Sequence, residues 1–339
     1  MKNDVLTMGL IGAGRIGALH AAHLAHRIEG VRLAAIADAN EAAAKQCAER
    51  LGIPRATGDA AAIFADPAID AVAICSSTDT HAAFIEAAAR AGKHIFCEKP
   101  VDQDLAKIDR ALGAAKAAGV TLMIGFNRRF DANFARVREA IVSGAVGEPH
   151  LIHIISRDPG PPPIAYIKVS GGIFMDMTIH DFDMARFLTG SEPVEIYAAA
   201  GVRVDPAIGE AGDLDTALIT IKFANGALVS IDNSRRAVYG YDQRIEVFGA
   251  KGSIRVDNNY PNTALLSDAE SVRRDLPLNF FMDRYTESYL AEIRAFVEAV
   301  RTGTPPPVVG EDGRAPVVMA MAARRSYDEN RPVKMAEIG

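Results

Sequence analysis

The strongest constraint on the fold lies at the start of the chain. The run Val5-Leu6-Thr7-Met8-Gly9-Leu10-Ile11 reads as a buried strand, and Gly12-Ala13-Gly14-Arg15-Ile16-Gly17 follows without a break. A helical stretch from Ala18 to Ile28 comes next, then an apolar strand, Val31 to Ala37, ending at Asp38. Each glycine has its own physical duty. Gly12 permits the tight turn, Gly14 lets the backbone approach a pyrophosphate, and Gly17 lets helix and strand pack closely. The helix start offers free N–H groups and the positive end of its dipole to phosphates. Asp38 stands about 20 residues past the last glycine, where a carboxylate reaches the adenosine ribose hydroxyls and repels a 2′-phosphate. Strand, glycine triplet, helix, strand and acid in register predict a site for NAD rather than NADP, contacted by Gly12, Gly14, Arg15, Ile16, Gly17 and Asp38.

The alternation continues downstream. Ala71–Cys75, His94–Cys97 and Thr121–Ile124 read as strands, with helices over Thr80–Ala91 and Leu105–Ala118 between and beyond them. Such alternation predicts a doubly wound parallel sheet. After Gly125 the rhythm changes. Helices are predicted over Ala132–Ser143 and from Thr178 to a stop at Gly190, followed by a succession of strands between Val194 and Ser267. In Asp215–Phe223 the residues Ala217, Ile219, Ile221 and Phe223 share one face, and Asn225-Gly226 is a hairpin dipeptide leading into Ala227–Ile231. Half-buried antiparallel strands fit this pattern. Helices near Tyr285–Arg301 and Arg314–Asn330 close the chain. The expected division is an NAD-binding domain over 1–125 and a substrate-binding and oligomerisation domain over 126–339.

At 339 residues with a net charge of −6, the chain has room for two cores and shows no basic patch for nucleic acid. Cys47, Cys75 and Cys97 lie in apolar patterns without metal-ligand spacing, so buried thiols are expected. No leader-like or membrane-spanning apolar run is evident, and a cytoplasmic location is expected.

Two further constellations carry chemistry. In Ile95-Phe96-Cys97-Glu98-Lys99-Pro100 a lysine closes a buried strand, at the end of an open α/β sheet where ligands bind. The Lys99-Pro100 bond is a candidate cis peptide that aims the lysine. In Gly171 to Asp183, Thr178 is a plausible helix cap that puts Asp176 just before a helix and His180 in its first turn. Histidine is the usual proton acceptor near neutral pH, and a nearby carboxylate raises its basicity and fixes its orientation. Asp181 and Asp183 read as helix-start carboxylates answering the dipole. His180, Asp176 and Asp183 lack further ligands at metal-site spacing, so no metal is expected. Ser76, Thr78 and His81 follow the strand ending at Cys75 and are candidate cofactor contacts. Asn127, Asp158, Tyr166 and Tyr241 are candidate partners for substrate hydroxyls.

The Glu98-Lys99-Pro100 turn, the Gly12–Gly17 triplet and Asp176 with His180 together resemble the glucose–fructose oxidoreductase/inositol dehydrogenase (Gfo/Idh/MocA) family over essentially the whole chain. Asp176 to Arg186 and Tyr239-Gly240-Tyr241-Asp242 look most like bacterial inositol 2-dehydrogenases. The resemblance implies a Rossmann domain joined to a domain with a large open, mainly antiparallel sheet, which commonly forms a homodimer or homotetramer interface. It implies Lys99, Asp176 and His180 as catalytic residues and Glu98 and Lys99 among the cofactor contacts. The implied activity is NAD-dependent oxidation of a polyol, with myo-inositol to 2-keto-myo-inositol leading. Scyllo-inositol or an aldose C1 hydroxyl is the alternative within the family, and a nucleotide-sensing regulator is the remote one.

Overall fold

A computed structural model of the chain describes residues 5–338. The chain forms two compact units, one of residues 1–127 and 287–315, the other of 128–286 and 316–339. In the first, β1 (Leu6–Ile11), α1 (Arg15–His26), β2 (Val31–Ala37), α2 (Glu41–Leu51), β3 (Arg55–Thr57) and α3 (Ala61–Phe64) form one half. β4 (Ala71–Ile74), α4 (Thr78–Arg90), β5 (His94–Glu98), α5 (Leu105–Ala118) and β6 (Leu122–Gly125) form the other. The six strands are parallel in the order β3-β2-β1-β4-β5-β6, the doubly wound arrangement of a Rossmann sheet. Every residue of β4 and β6 is buried, as expected of parallel strands covered on both faces.

In the second unit Asp131 caps α6 (Ala132–Val142), accepting from the N–H groups of Asn133 and Phe134. There follow β7 (Pro149–Arg157), three helices and a set of strands. The helices are α7 (Ile164–Ile167), α8 (Gly172–Asp176) and α9 (Ile179–Thr189). The strands are β8 (Pro193–Gly201), then, after α10 (Pro206–Glu210), β9 (Thr216–Phe223), β10 (Leu228–Ser234), β11 (Asp242–Gly249) and β12 (Gly252–Val256). A small ribbon pairs β13 (Leu266–Ser267) with β14 (Val272–Arg273), and β15 (Val333–Lys334) completes the large sheet. That sheet has seven strands in the order β12-β11-β7-β10-β9-β8-β15. All its pairings are antiparallel except β7 with β10. β7, absent from the sequence expectation, lies near the middle of this sheet. At Asn225-Gly226 the hairpin forms as expected, with Gly226 at φ +90.

Two long helices cross the division in the chain. α11 (Phe281–Thr302) starts in the second unit and continues in the first from Glu287, and α12 (Gly310–Glu329) passes back at Pro316. The sequence division at 125/126 does not anticipate this return, because nothing in residues 287–315 marks them as part of an α/β layer. Within the first unit the returning segment seals the edge strand. The Ile124 N–H donates to the Val308 carbonyl at 3.2 Å, and Gly313 sits so close to Ile124 and Val101 that a side chain would collide with them. Among the described residues no helix is long and apolar enough to cross a membrane.

The inner face of the large sheet has a boundary that matters for function. Ile245, Ile154, Ile231 and Ile219 form one buried row across β11, β7, β10 and β9. Two residues along, the next row reads Gln243, Ser156, Asn233, Ala217, and it is buried too. Polar side chains at buried positions need partners, and α9 packs against β7 on this face.

Candidate active site

The glycine loop has the geometry its sequence promised. Gly12 adopts φ +99, and a Cβ there would stand 2.5 Å from the backbone of Cys75 and Ser76. At Gly17 a Cβ would fall 1.8 Å from the Gly12 carbonyl oxygen. Gly14 differs, since a Cβ there would meet nothing within 4 Å. It is the N-cap of α1 and no side chain caps that helix, so the first N–H groups face an open side of the loop. Asp38 ties strand to loop, accepting from the Ala13 N–H at 2.6 Å and the Asn40 N–H at 2.8 Å. The open face at Gly14 has room for a dinucleotide pyrophosphate.

At the end of β5, Lys99-Pro100 is a cis peptide. The turn is held by His81, a fully buried ring whose Nδ1 lies 2.8 Å from the Pro100 carbonyl and Nε2 3.0 Å from that of Ser76. The ring lies between the two strand ends, its N–H donating to one of these carbonyls. α4 begins at Thr78, and the Ser76 and Thr80 hydroxyls bond each other at 2.6 Å. Glu98 points into the core, where it accepts from His20 Nε2 at 2.7 Å. Glu292 of α11 completes that cluster, with its Oε1 3.8 Å from the same ring nitrogen. Burial, then the nearby Glu98 carboxylate, holds the Glu292 carboxyl well above its ordinary range. All three cysteines are buried thiols, and burial pushes Cys75 and Cys97 up.

In the second unit the α8–α9 corner presents Asp176 and His180. Asp176 Oδ1 accepts from the Tyr166 hydroxyl at 2.8 Å, and Oδ2 accepts from Arg235 Nη1 at 3.2 Å. Burial, then the negative charge of Asp176, pushes Asp158 up to about 7. Thr178 occupies the N-cap position of α9, but its backbone is already helical there and its side chain does not cap the helix. Its hydroxyl donates instead to Asn233 Oδ1 at 2.6 Å. Asp181 is fully buried and does more than answer a dipole. It accepts from Arg128 Nη1 at 2.5 Å and Asn233 Nδ2 at 2.9 Å. Burial raises its carboxyl, and Arg128 and Asn233 pull it back. Asp183 is gripped by the Arg129 fork at 2.6 to 3.1 Å. The polar sheet row completes the support, with Ser156 Oγ 3.2 Å from Arg128 Nη2 and 3.0 Å from Gln243 Nε2.

The other expected substrate contacts fall in different places. Asn127, in the first unit, is buried, and its Nδ2 has no hydrogen-bond partner among the described residues. Tyr166 is exposed, whereas Tyr241 is buried edge-on to Tyr285 at 6.0 Å, with its hydroxyl 3.5 Å from Arg128 Nη2. Tyr239 belongs to a charged knot, donating to Asp242 at 2.5 Å and accepting from Arg157 at 3.0 Å.

Comparison with known proteins decides the family. Residues 6–126 match the model of an oxidoreductase family with an NAD-binding Rossmann fold, and residues 134–255 match the GFO/IDH/MocA C-terminal domain. The chain belongs to the Gfo/Idh/MocA family. Within that family it is 50% identical to a myo-inositol 2-dehydrogenase of Thermotoga maritima, over 98% of this chain and 99% of that protein. It is 49% identical to an inositol 2-dehydrogenase of Rhizobium meliloti, over 97% and 98%. The crystal structure of a scyllo-inositol dehydrogenase from Lactobacillus casei, with bound NAD(H) and scyllo-inositol, superposes with a TM-score of 0.92 at 29% identity, covering 98% of this chain and 99% of that one.

For a Gfo/Idh/MocA protein, the residues that sequence reasoning missed are those behind the motifs. Arg235, Asp213, Asn233, Ser156 and Gln243 are all buried. A signal for part of this set exists in the strands. Val229, Ile231, Asn233 and Ile152, Ile154, Ser156 are alternating inward runs that end on a polar residue. Nothing local marks Arg235 or Asp213.

Proposed function

We propose that the protein oxidises a cyclic polyol with NAD by hydride transfer, and that its substrate is myo-inositol, converted to 2-keto-myo-inositol (scyllo-inosose). The observation that carries this reading is the hydrogen-bonded Tyr166–Asp176 pair one turn before His180, in a chain 50% identical to a myo-inositol 2-dehydrogenase along almost its full length. The Gly14 opening, the uncapped start of α1 and Asp38 would hold NAD, which supplies the hydride acceptor for the carbinol carbon. Asp38 favours NAD over NADP because a 2′-phosphate would meet its charge.

In this reading His180 takes the hydroxyl proton as the carbonyl forms. Asp176 orients the imidazole and stabilises its charged form, and Lys99 donates a hydrogen bond to the reacting oxygen, favouring the developing alkoxide. Asp158, Tyr166, Asn127 and Tyr241 supply donors and acceptors for the remaining hydroxyls, since each buried hydroxyl left unpaired costs about 1–3 kcal/mol. The test is steady-state oxidation of a panel of inositols and aldoses with each nucleotide. Myo-inositol should lead scyllo-inositol and glucose by at least about tenfold in kcat/KM, or ~1.4 kcal/mol. An aldose leading by that margin would make the protein a sugar dehydrogenase on the same scaffold.

The same reading includes a homodimer or homotetramer formed through the large sheet. Phe248, Leu151 and Leu228 are direct neighbours across β11, β7 and β10, and all three are exposed on the outer face. An exposed apolar row flanked by polar residues suits a second sheet. A monomer by light scattering at micromolar concentration would overturn this part.

A further inference from the structure

Behind Asp176 stands a buried ion-pair chain that the proposed chemistry does not itself use. Arg235 follows β10, is fully buried, and anchors its own N–H on the Asp215 carbonyl at 2.8 Å. One arm of its guanidinium, Nη1, donates to Asp176 Oδ2, and the other, Nη2, donates to Asp213 Oδ2, each at 3.2 Å. Asp213 in turn accepts from the Ile173 N–H at 2.9 Å through Oδ1. Ile173 lies in the first turn of α8 and Asp176 at its last residue, so the chain grips this short helix at both ends. The residue between Gly171 and Ile173 makes that grip possible. Gly172 adopts φ +83, and a Cβ there would stand 2.7 Å from Asp213 Oδ1.

We propose that Arg235 and Asp213 are positioning residues for Asp176: Arg235 fixes the direction of the carboxylate for its work on His180, and Asp213 holds the Arg235 fork in place. This rests on the reading of Asp176 and His180 given above. The electrostatic need is plain from what faces Asp176. Tyr166 approaches from α7 and Asp158 from the end of β7, Asp213 shares the Arg235 fork from the loop before β9, and Arg128 and Asp181 act on Asp158 from beyond. Arg235 brings a cation into direct contact with Asp176 at this acid-rich corner. A planar fork reaches two carboxylates at once in fixed directions, which a lysine cannot reproduce.

The test compares wild type with Arg235→Met, Arg235→Lys and Asp213→Asn, reading the pH profiles of kcat and kcat/KM for myo-inositol oxidation and NAD affinity by fluorescence. Removing the cation disfavours the ionised carboxylate, so Arg235→Met should lower kcat at least tenfold and move the acid limb to higher pH. Asp213→Asn removes a competing negative charge, so its acid limb should move to lower pH. Arg235→Lys should restore the position of the limb while leaving kcat reduced. NAD affinity should stay unchanged in all three. Opposite shifts are the signature that general loosening would not produce. If Arg235→Met fails to fold, the other two variants carry the test, and an unmoved acid limb in both overturns the inference while the activity stands. If wild type oxidises no polyol, the reading of the site fails instead. The brace is then measured by titrating 13Cγ-labelled aspartate. A lower Asp176 pKa in Asp213→Asn supports it, and an unchanged one overturns it.

Discussion

The glycine loop and the α8–α9 corner are built on opposite plans. The loop is written in six consecutive residues, and its shape follows from which glycines have room for a side chain and which do not. The corner has an equally compact signature, Asp176 and His180, but its environment joins Ser156, Asn233 and Gln243, aligned by strand register, with Arg128, Asp213 and Arg235 from outside the strands. A site specified locally is insulated from distant substitutions. A site resting on a buried polar row inherits the stability of the whole sheet.

The largest effect expected is at the corner itself. His180→Ala should lower turnover on the order of 10²–10⁴-fold, the span for a positioned acid–base group, while NAD binding on the glycine loop persists. Near-normal turnover between pH 6 and 9 would remove the distinction between a catalytic corner and a binding loop.

Next comes the support behind the corner. Arg128→Met leaves Asp181 buried without its cation, which should cost about 3–5 kcal/mol in unfolding free energy. Adding Asp181→Leu should recover much of the loss, as measured by urea denaturation. An equal loss in the double variant would show that packing, rather than the ion pair, holds α9.

The loop offers the reverse dissociation. Because a Cβ at Gly14 meets only open space, Gly14→Ala should fold with little change in Tm and still weaken NAD binding by about tenfold, ~1.4 kcal/mol. Gly17→Ala, blocked by the Gly12 carbonyl, should lose stability and binding together.

The smallest effect concerns pH, and here the two regions share a sign. Glu292 in the first unit and Asp158 in the second both have carboxyls raised in the folded state above ordinary values of 4.5 and 3.8. Such groups bind protons more tightly when folded, so their contribution is full below those ordinary values and is lost as pH rises through the folded ones. For Asp158 that window closes near pH 7. Glu292→Gln should therefore gain Tm relative to wild type between pH 5 and pH 8. No pH dependence of that difference would mean that Glu292 is ionised in the fold.

What the sequence disclosed follows the same division. Gly12, Gly14, Gly17 and Asp38 were legible because strand, turn and helix are neighbours along the chain. Asp176 and His180 were legible as a motif, while Asp181 and Asp183 read as helix-start carboxylates answering the dipole. Their true partners, Arg128 and Arg129, lie on the far side of β7 in the chain, and no periodicity links them. β7 itself escaped notice although its inward residues alternate, because its place in the sheet depends on a parallel partner, β10, that arrives much later. Arg235 and Asp213 were invisible for the same reason.

The return of residues 287–315 to the Rossmann unit carries a consequence for the newborn chain. The edge of β6 is sealed by Val308, and the cluster around His20 is completed by Glu292. At about 5–20 residues per second, a ribosome needs on the order of 10–30 s after Asn127 before those residues emerge. During that interval the nucleotide-binding half waits with an open sheet edge and the His20–Glu98 pair lacking its third member, a natural point for chaperone engagement in the cell.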